Sequence, residues 1–234
     1  MPLLSLAQDT TAERIPPTLA PNTNSLMNLH NRKSLRLKGY DYTSVGRYFV
    51  TIVTRNRLHL FGKVVDGEMV LNEFGKIAER EWINTLRLRN NVSLGAFMIM
   101  PDHIHLVINI EVATPQTEYS SEELERRAGA VGGKDICKEG SLGSLVRGYK
   151  AAITNQVKQL IYAYQEGKST ITETALNEIR PLIRRVDLKK TIWVRNYHEI
   201  IIRDQRAYLN ISRYINNNPK KWDEDLKKKL GLHE

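Results

Sequence analysis

A chain of 234 residues with 41% hydrophobic and 26% charged residues has the composition of a folded domain, which excludes a disordered or fibrous protein. No stretch approaches the roughly 20 apolar residues of a membrane helix, and a single cysteine, Cys137, excludes an internal disulfide and a thiolate metal cluster, leaving His, carboxylate or amide ligands. The net charge is +9, and 18 basic against 10 acidic residues lie from Ser141 onward, a surplus that fits a polyanionic partner or simply a solvated surface.

Residues 1–31 carry four prolines and many Thr, Asn and Ser without apolar periodicity, and read as a flexible extension. The N-terminus has no basic lead-in before a long apolar run, so a cytoplasmic, unexported chain with no membrane partner is expected. Ordered structure is expected from Arg32. The β-branched and aromatic run Tyr48–Thr54 predicts a buried strand, and Asp66-Gly67 predicts a hairpin turn between KVV and EMVL. Asn72 is placed to cap a helix whose stripe is Phe74, Ile77, Ala78 and Trp82. Residues 92–110 divide into two strands at Pro101-Asp102. An acidic, aperiodic insertion near 111–140 follows.

Ser141 opens a long helix with Leu142, Leu145, Val146, Tyr149, Ile153, Val157, Leu160 and Ile161 on one stripe. Residues 166–190 read as a second insertion without assigned structure. Extended segments are expected at Thr191–Val194 and Glu199–Arg203, then a helix over Gln205–Asn218 stopped by Pro219, with 223–234 as a basic tail. The order of elements implies one α+β domain over 32–222, a ferredoxin-like antiparallel sheet with helices on one face.

The sharpest chemical feature is His103-Ile104-His105. On a strand the two imidazoles share one face, about 6 to 7 Å apart along the strand, while Ile104, Leu106, Ile108 and Ile110 take the other. Such a pair suits a divalent metal; two surface histidines are the bland alternative. In the last helix Tyr214 and Asn218 are four residues apart and share a face, so Asn218 is a candidate third ligand and Tyr214 a candidate nucleophile. Packing of the tyrosine and helix capping by the asparagine is the alternative. Asp102 and Glu199 are possible partners of the imidazoles, and Tyr149 and Tyr197 are competing nucleophiles.

FMIMPDHIHLVI resembles the signature of single-tyrosine HUH transposases, in the REP-associated tyrosine transposase-like branch. RLKGYDYTSVGRYFVTIVTRNRLHLFG, MVLNEFGKIAEREW, GSLVRGYKAAIT and WVRNYHEIIIRDQRAYLNISRYINNNPKKW resemble successive blocks of that family. The resemblance implies that His103, His105 and Asn218 hold Mg²⁺ or Mn²⁺ and that Tyr214 attacks single-stranded DNA next to a hairpin, forming a 5′-phosphotyrosine that can be rejoined to a 3′-OH. It leaves monomer or homodimer open. A domesticated hairpin-binding protein that no longer cuts is the second reading, and a simple metal-dependent phosphodiesterase the third. Arg147, Lys150, Arg184, Arg185, Lys189, Lys190, Arg195, Lys220 and Lys221 are the candidate DNA contacts.

Overall fold

Alternation along four extended segments builds a sheet with two apolar faces. The computed structural model describes residues 37, 39–113 and 138–229. The extension over 1–31, residues 114–137 of the first insertion and the last five residues of the tail lie outside the described residues. Four antiparallel strands run in the order β4 (Val92–Ile99), β5 (His103–Ile110), β1 (Gly46–Val53), β6 (His198–Ile202). The register sets Val53 opposite His103 and Gly46 opposite Ile110, and sets Thr51 opposite His198. One face therefore gathers Tyr48, Val50, Ile52, Ile104, Leu106, Ile108 and Ile110, and the other gathers Phe49 and Val107. Between Leu94 and Phe97 a bulge shifts the β4–β5 register. Only glycine fits at position 95, because a Cβ there would lie 2.8 Å from Val107 Cγ1.

The hairpin forms at the expected turn. Strands β2 (Gly62–Val65) and β3 (Glu68–Leu71) join through Asp66 and Gly67, whose φ angles of 51° and 75° match the two left-handed positions of a tight hairpin turn. Helix α1 (Glu73–Leu88) starts where expected: Asn72 Oδ1 accepts from the Gly75 N–H at 3.0 Å while its Nδ2 donates to the Leu60 carbonyl at 3.0 Å. Helix α2 (Leu142–Gln165) is capped by Ser141. Trp82, Tyr149, Ile153 and Val157 from these two helices close the larger core over the sheet.

Three expectations need correction. Residues 166–190 are not structureless: Thr172 caps α3 (Glu173–Ile183), which seats Leu176, Ile179 and Ile183 in or against the core. The antiparallel α+β class stands, but helices cover both faces of the sheet, because α4 (Gln205–Lys229) lays Ile211 and Ile215 on Phe49, Val107 and Ile202. The second face is apolar at its centre and would otherwise be left to water. Helix α4 also does not stop at Pro219 but continues through residues assigned to the tail. Packing overrides the proline: Asn218 and Pro219 are buried, Lys220 lies against Gly67, and the Trp222 ring meets His59.

The chain after α3 returns to the sheet at Thr54, which bridges to Trp193, while Arg55 N–H donates to the Ile192 carbonyl at 2.8 Å. Lys150 of α2 secures this return by donating to the Val194 carbonyl at 2.8 Å and the Arg195 carbonyl at 3.3 Å. Burial pushes the Lys150 pKa down to about 8. Below that pH both folded and unfolded chains hold the proton; between it and the ordinary lysine value of about 10.4 only the unfolded chain does, so this residue makes stability rise with pH across that window. Comparing urea midpoints of the parent and Lys150→Met chains across the window should show the rise reduced in the variant. Asn72→Ala removes both a helix cap and a buried carbonyl partner, and is expected to lower unfolding free energy by about 2 kcal/mol in urea titration.

Candidate active site

Strand β5 delivers His103 and His105 to the face covered by α4, as alternation requires, and both are buried at 8% and 4% exposure. Their Nε2 atoms lie 3.1 Å apart. Each ring is oriented through its other nitrogen. His103 Nδ1 is 2.6 Å from Asp102 Oδ1, and His105 Nδ1 is 2.9 Å from Thr51 Oγ1. An ionised Asp102 only accepts, so His103 carries its proton on Nδ1 and presents a lone pair at Nε2. If Thr51 accepts from His105 Nδ1, a second lone pair faces the first, and a cation between them relieves the repulsion; if Thr51 donates, His105 Nε2–H donates to His103 instead. Burial above all holds the His105 pKa well below the ordinary histidine value, which favours the neutral form a metal ligand requires. This donor set fits a divalent cation.

Helix α4 supplies the opposite wall. Tyr214, Asn218 and Trp222 recur every four residues and therefore share one helical face. The first and last of them touch the histidines: the Tyr214 ring centroid is 5.4 Å from that of His105, and the Trp222 centroid is 5.9 Å from that of His103. Asn218 lies one turn from each along the helix and is buried at 8% exposure. Phe49 braces the tyrosine edge-on at 6.2 Å.

The competing tyrosines are elsewhere. Tyr149 is buried in the α1–α2 core, where its hydroxyl donates to the Ala78 carbonyl at 2.9 Å and burial pushes its pKa up. Tyr197 packs against the same core. Glu199 stands opposite Val50 and so points to the core face, away from the imidazoles, whereas Asp102 is the direct partner of His103. Of the nine candidate DNA contacts, Lys220 and Lys221 are exposed on α4 beside Asn218. Arg147, Arg184, Arg185, Lys189, Lys190 and Arg195 are exposed on α2, on the end of α3 and on the return segment, and Lys190 pairs with Asp187 at 3.0 Å. Lys150 is a correction: its ammonium is turned inward onto backbone carbonyls by the packing of α2 against the return segment.

Thr51, Arg57 and Trp222 were not among the expected site residues. Thr51 becomes visible only through the β1–β5 register. Trp222 is two turns beyond Tyr214 and could have been found by carrying the helix through Pro219. Arg57, whose Nη1 is 3.5 Å from Asp102 Oδ2, sits in an irregular turn with no sequence pattern to mark it.

Among the described residues no helix is long and apolar enough to cross a membrane, and no three His, Cys, Asp or Glu side chains cluster as a metal site. No protein-family model matches the chain. In fold comparison, the structure of a REP-associated tyrosine transposase bound to a REP hairpin aligns with a TM-score of 0.43 and 16% identity over 78% of this chain and 71% of that one. A candidate transposase of Deinococcus radiodurans aligns with a TM-score of 0.32 and 17% identity over 78% of this chain and 95% of that one. An uncharacterized protein of Haemophilus influenzae is 33% identical over 197 residues, spanning 84% of this chain and 93% of its own length. On that identity and coverage, the chain belongs to the same family as the Haemophilus influenzae protein.

Proposed function

We propose that the chain is a single-tyrosine DNA strand transferase of the HUH, REP-associated type, cutting and rejoining single-stranded DNA beside a hairpin. The observation that carries this reading is the meeting of the paired Nε2 atoms with a phenol from α4, 5.4 Å between ring centroids, with a buried amide one turn away. His103, His105 and Asn218 would hold Mg²⁺ or Mn²⁺. A cation held there would withdraw charge from the scissile phosphate as a Lewis acid.

The chain's own groups do the rest. A phenol with an ordinary pKa near 10 is only about one part in a thousand ionised at neutral pH, so position matters more than intrinsic reactivity. Phe49 and the His105 ring hold Tyr214 against two faces, which limits its rotation and offsets the entropy of bringing nucleophile to phosphorus. Tyr214 Oη gives up its proton and bonds to phosphorus; the bond from phosphorus to the 3′-oxygen breaks, and that oxygen takes a proton to become a free 3′-OH. The 5′-phosphotyrosine keeps the ester energy, so a 3′-OH can reverse the step and join strands. Asp102 fixes the His103 ring throughout by accepting from Nδ1.

Incubation of the protein with a labelled hairpin oligonucleotide carrying a single-stranded tail, in Mn²⁺, should give a protein–DNA adduct that survives denaturation and is absent in Tyr214→Phe. Salt-sensitive binding without adduct would favour the non-cleaving hairpin-binding reading, and turnover without adduct a phosphodiesterase. A second outcome is thermodynamic. Mn²⁺ at about 100 times its dissociation constant should stabilise the fold by roughly 2.7 kcal/mol, seen as a raised Tm that EDTA reverses. His105→Ala should lose the shift and Tyr214→Phe should keep it.

A further inference from the structure

The turn that leaves β1 is built against its own backbone preferences. Asn56 and Arg57 have φ angles of 56° and 51°, two consecutive left-handed residues without a glycine. Asparagine tolerates that region; arginine does so at a cost. The surrounding chain imposes the conformation. Thr54 Oγ1 lies 2.8 Å from the Leu58 carbonyl and 2.9 Å from the Asp102 carbonyl and shares its one proton between them, while Arg55 N–H is tied to Ile192. The result places Arg57 Nη1 at 3.5 Å from Asp102 Oδ2, with the arginine side chain still 43% exposed. A half-exposed ion pair at that distance returns little stability of its own, so the hydrogen bonds that hold the turn, rather than the ion pair, offset its left-handed backbone.

The turn sets Arg57 beside the site. Asp102 is buried and lies between His103 and Arg57, so the guanidinium stands one carboxylate away from the paired imidazoles. A guanidinium offers five donors in a planar fork, and Asp102 occupies one side of it. We infer that Arg57 is a phosphate ligand of this site, presenting its free donors to a backbone phosphate of the bound DNA strand. The inference rests on the strand-transfer reading for the identity of the anion, and assigns the anchor that fixes the phosphate in front of Tyr214. Asp102 then serves both neighbours, orienting the imidazole through Oδ1 and the arginine through Oδ2.

The test is the salt dependence of binding, measured by fluorescence anisotropy with a labelled single-stranded thymidine oligonucleotide, in EDTA and in the Tyr214→Phe background. Neither cleavage nor metal is needed, so failure of the strand-transfer chemistry and failure of this inference are read separately. Removing one phosphate contact should lower the slope of log affinity against log salt by about 0.7. Arg57→Ala and Arg57→Gly should both show that loss; the glycine variant also relieves the left-handed backbone, so a fold defect cannot stand in for the effect. Arg57→Lys should keep the slope. An unchanged slope in the alanine and glycine variants, with or without weaker binding, would assign Arg57 to holding Asp102 alone and overturn the inference, as would an equal loss of slope in the lysine variant.

Discussion

The site depends on two imidazole nitrogens held within hydrogen-bond distance of each other in a place that water scarcely reaches. Two like lone pairs so close repel unless a proton or a cation stands between them, and the protein commits a carboxylate and a hydroxyl to keeping both rings turned inward. Everything nearby serves that arrangement. The central strand brings the rings to one face, the neighbouring strand supplies Thr51, and the last helix closes over them with a phenol, an amide and an indole in succession.

The division of labour between the sheet's faces follows from this. The larger core, under α1, α2 and α3, is conventional apolar packing and carries the stability. The second face has only a small apolar patch, Phe49, Val107, Ile202, Ile211 and Ile215, enough to dock α4 while leaving the histidine end of the strand polar. The histidine pair and Tyr214 thus sit on a strand and a helix rather than on loops, which limits their drift.

Much of this could be read from the residues alone. The hairpin turn, the capping residues Asn72 and Ser141 and the break at Pro101-Asp102 are local signals, and each marks an element in the structure. The facing of His103 and His105 follows from the period of a strand. What the residues concealed depended on distant packing. Pro219 obeys its propensity only in isolation; held between buried neighbours and the hairpin, it sits inside a helix that goes on to place Trp222. The second layer was hidden because on that face β5 carries His103, His105 and Asn109 with Val107 as its one apolar side chain, so the strand reads as covered from one side only. Thr172, with Leu176, Ile179 and Ile183 behind it, did carry a helical pattern for α3, and the charged residues between them masked it. Lys150 reads as a surface cation in sequence, and only the return of the chain at 191–196 shows what holds it.

The register of the central pair has a bearing on how such a chain changes over generations. Because the imidazoles and the large aliphatic residues alternate along one strand, slippage by a single position would push both rings into oil and two isoleucines into the cleft. Insertions or deletions within this pair of strands are thereby felt first as misfolding, whereas replacing a single ring leaves the register as it is.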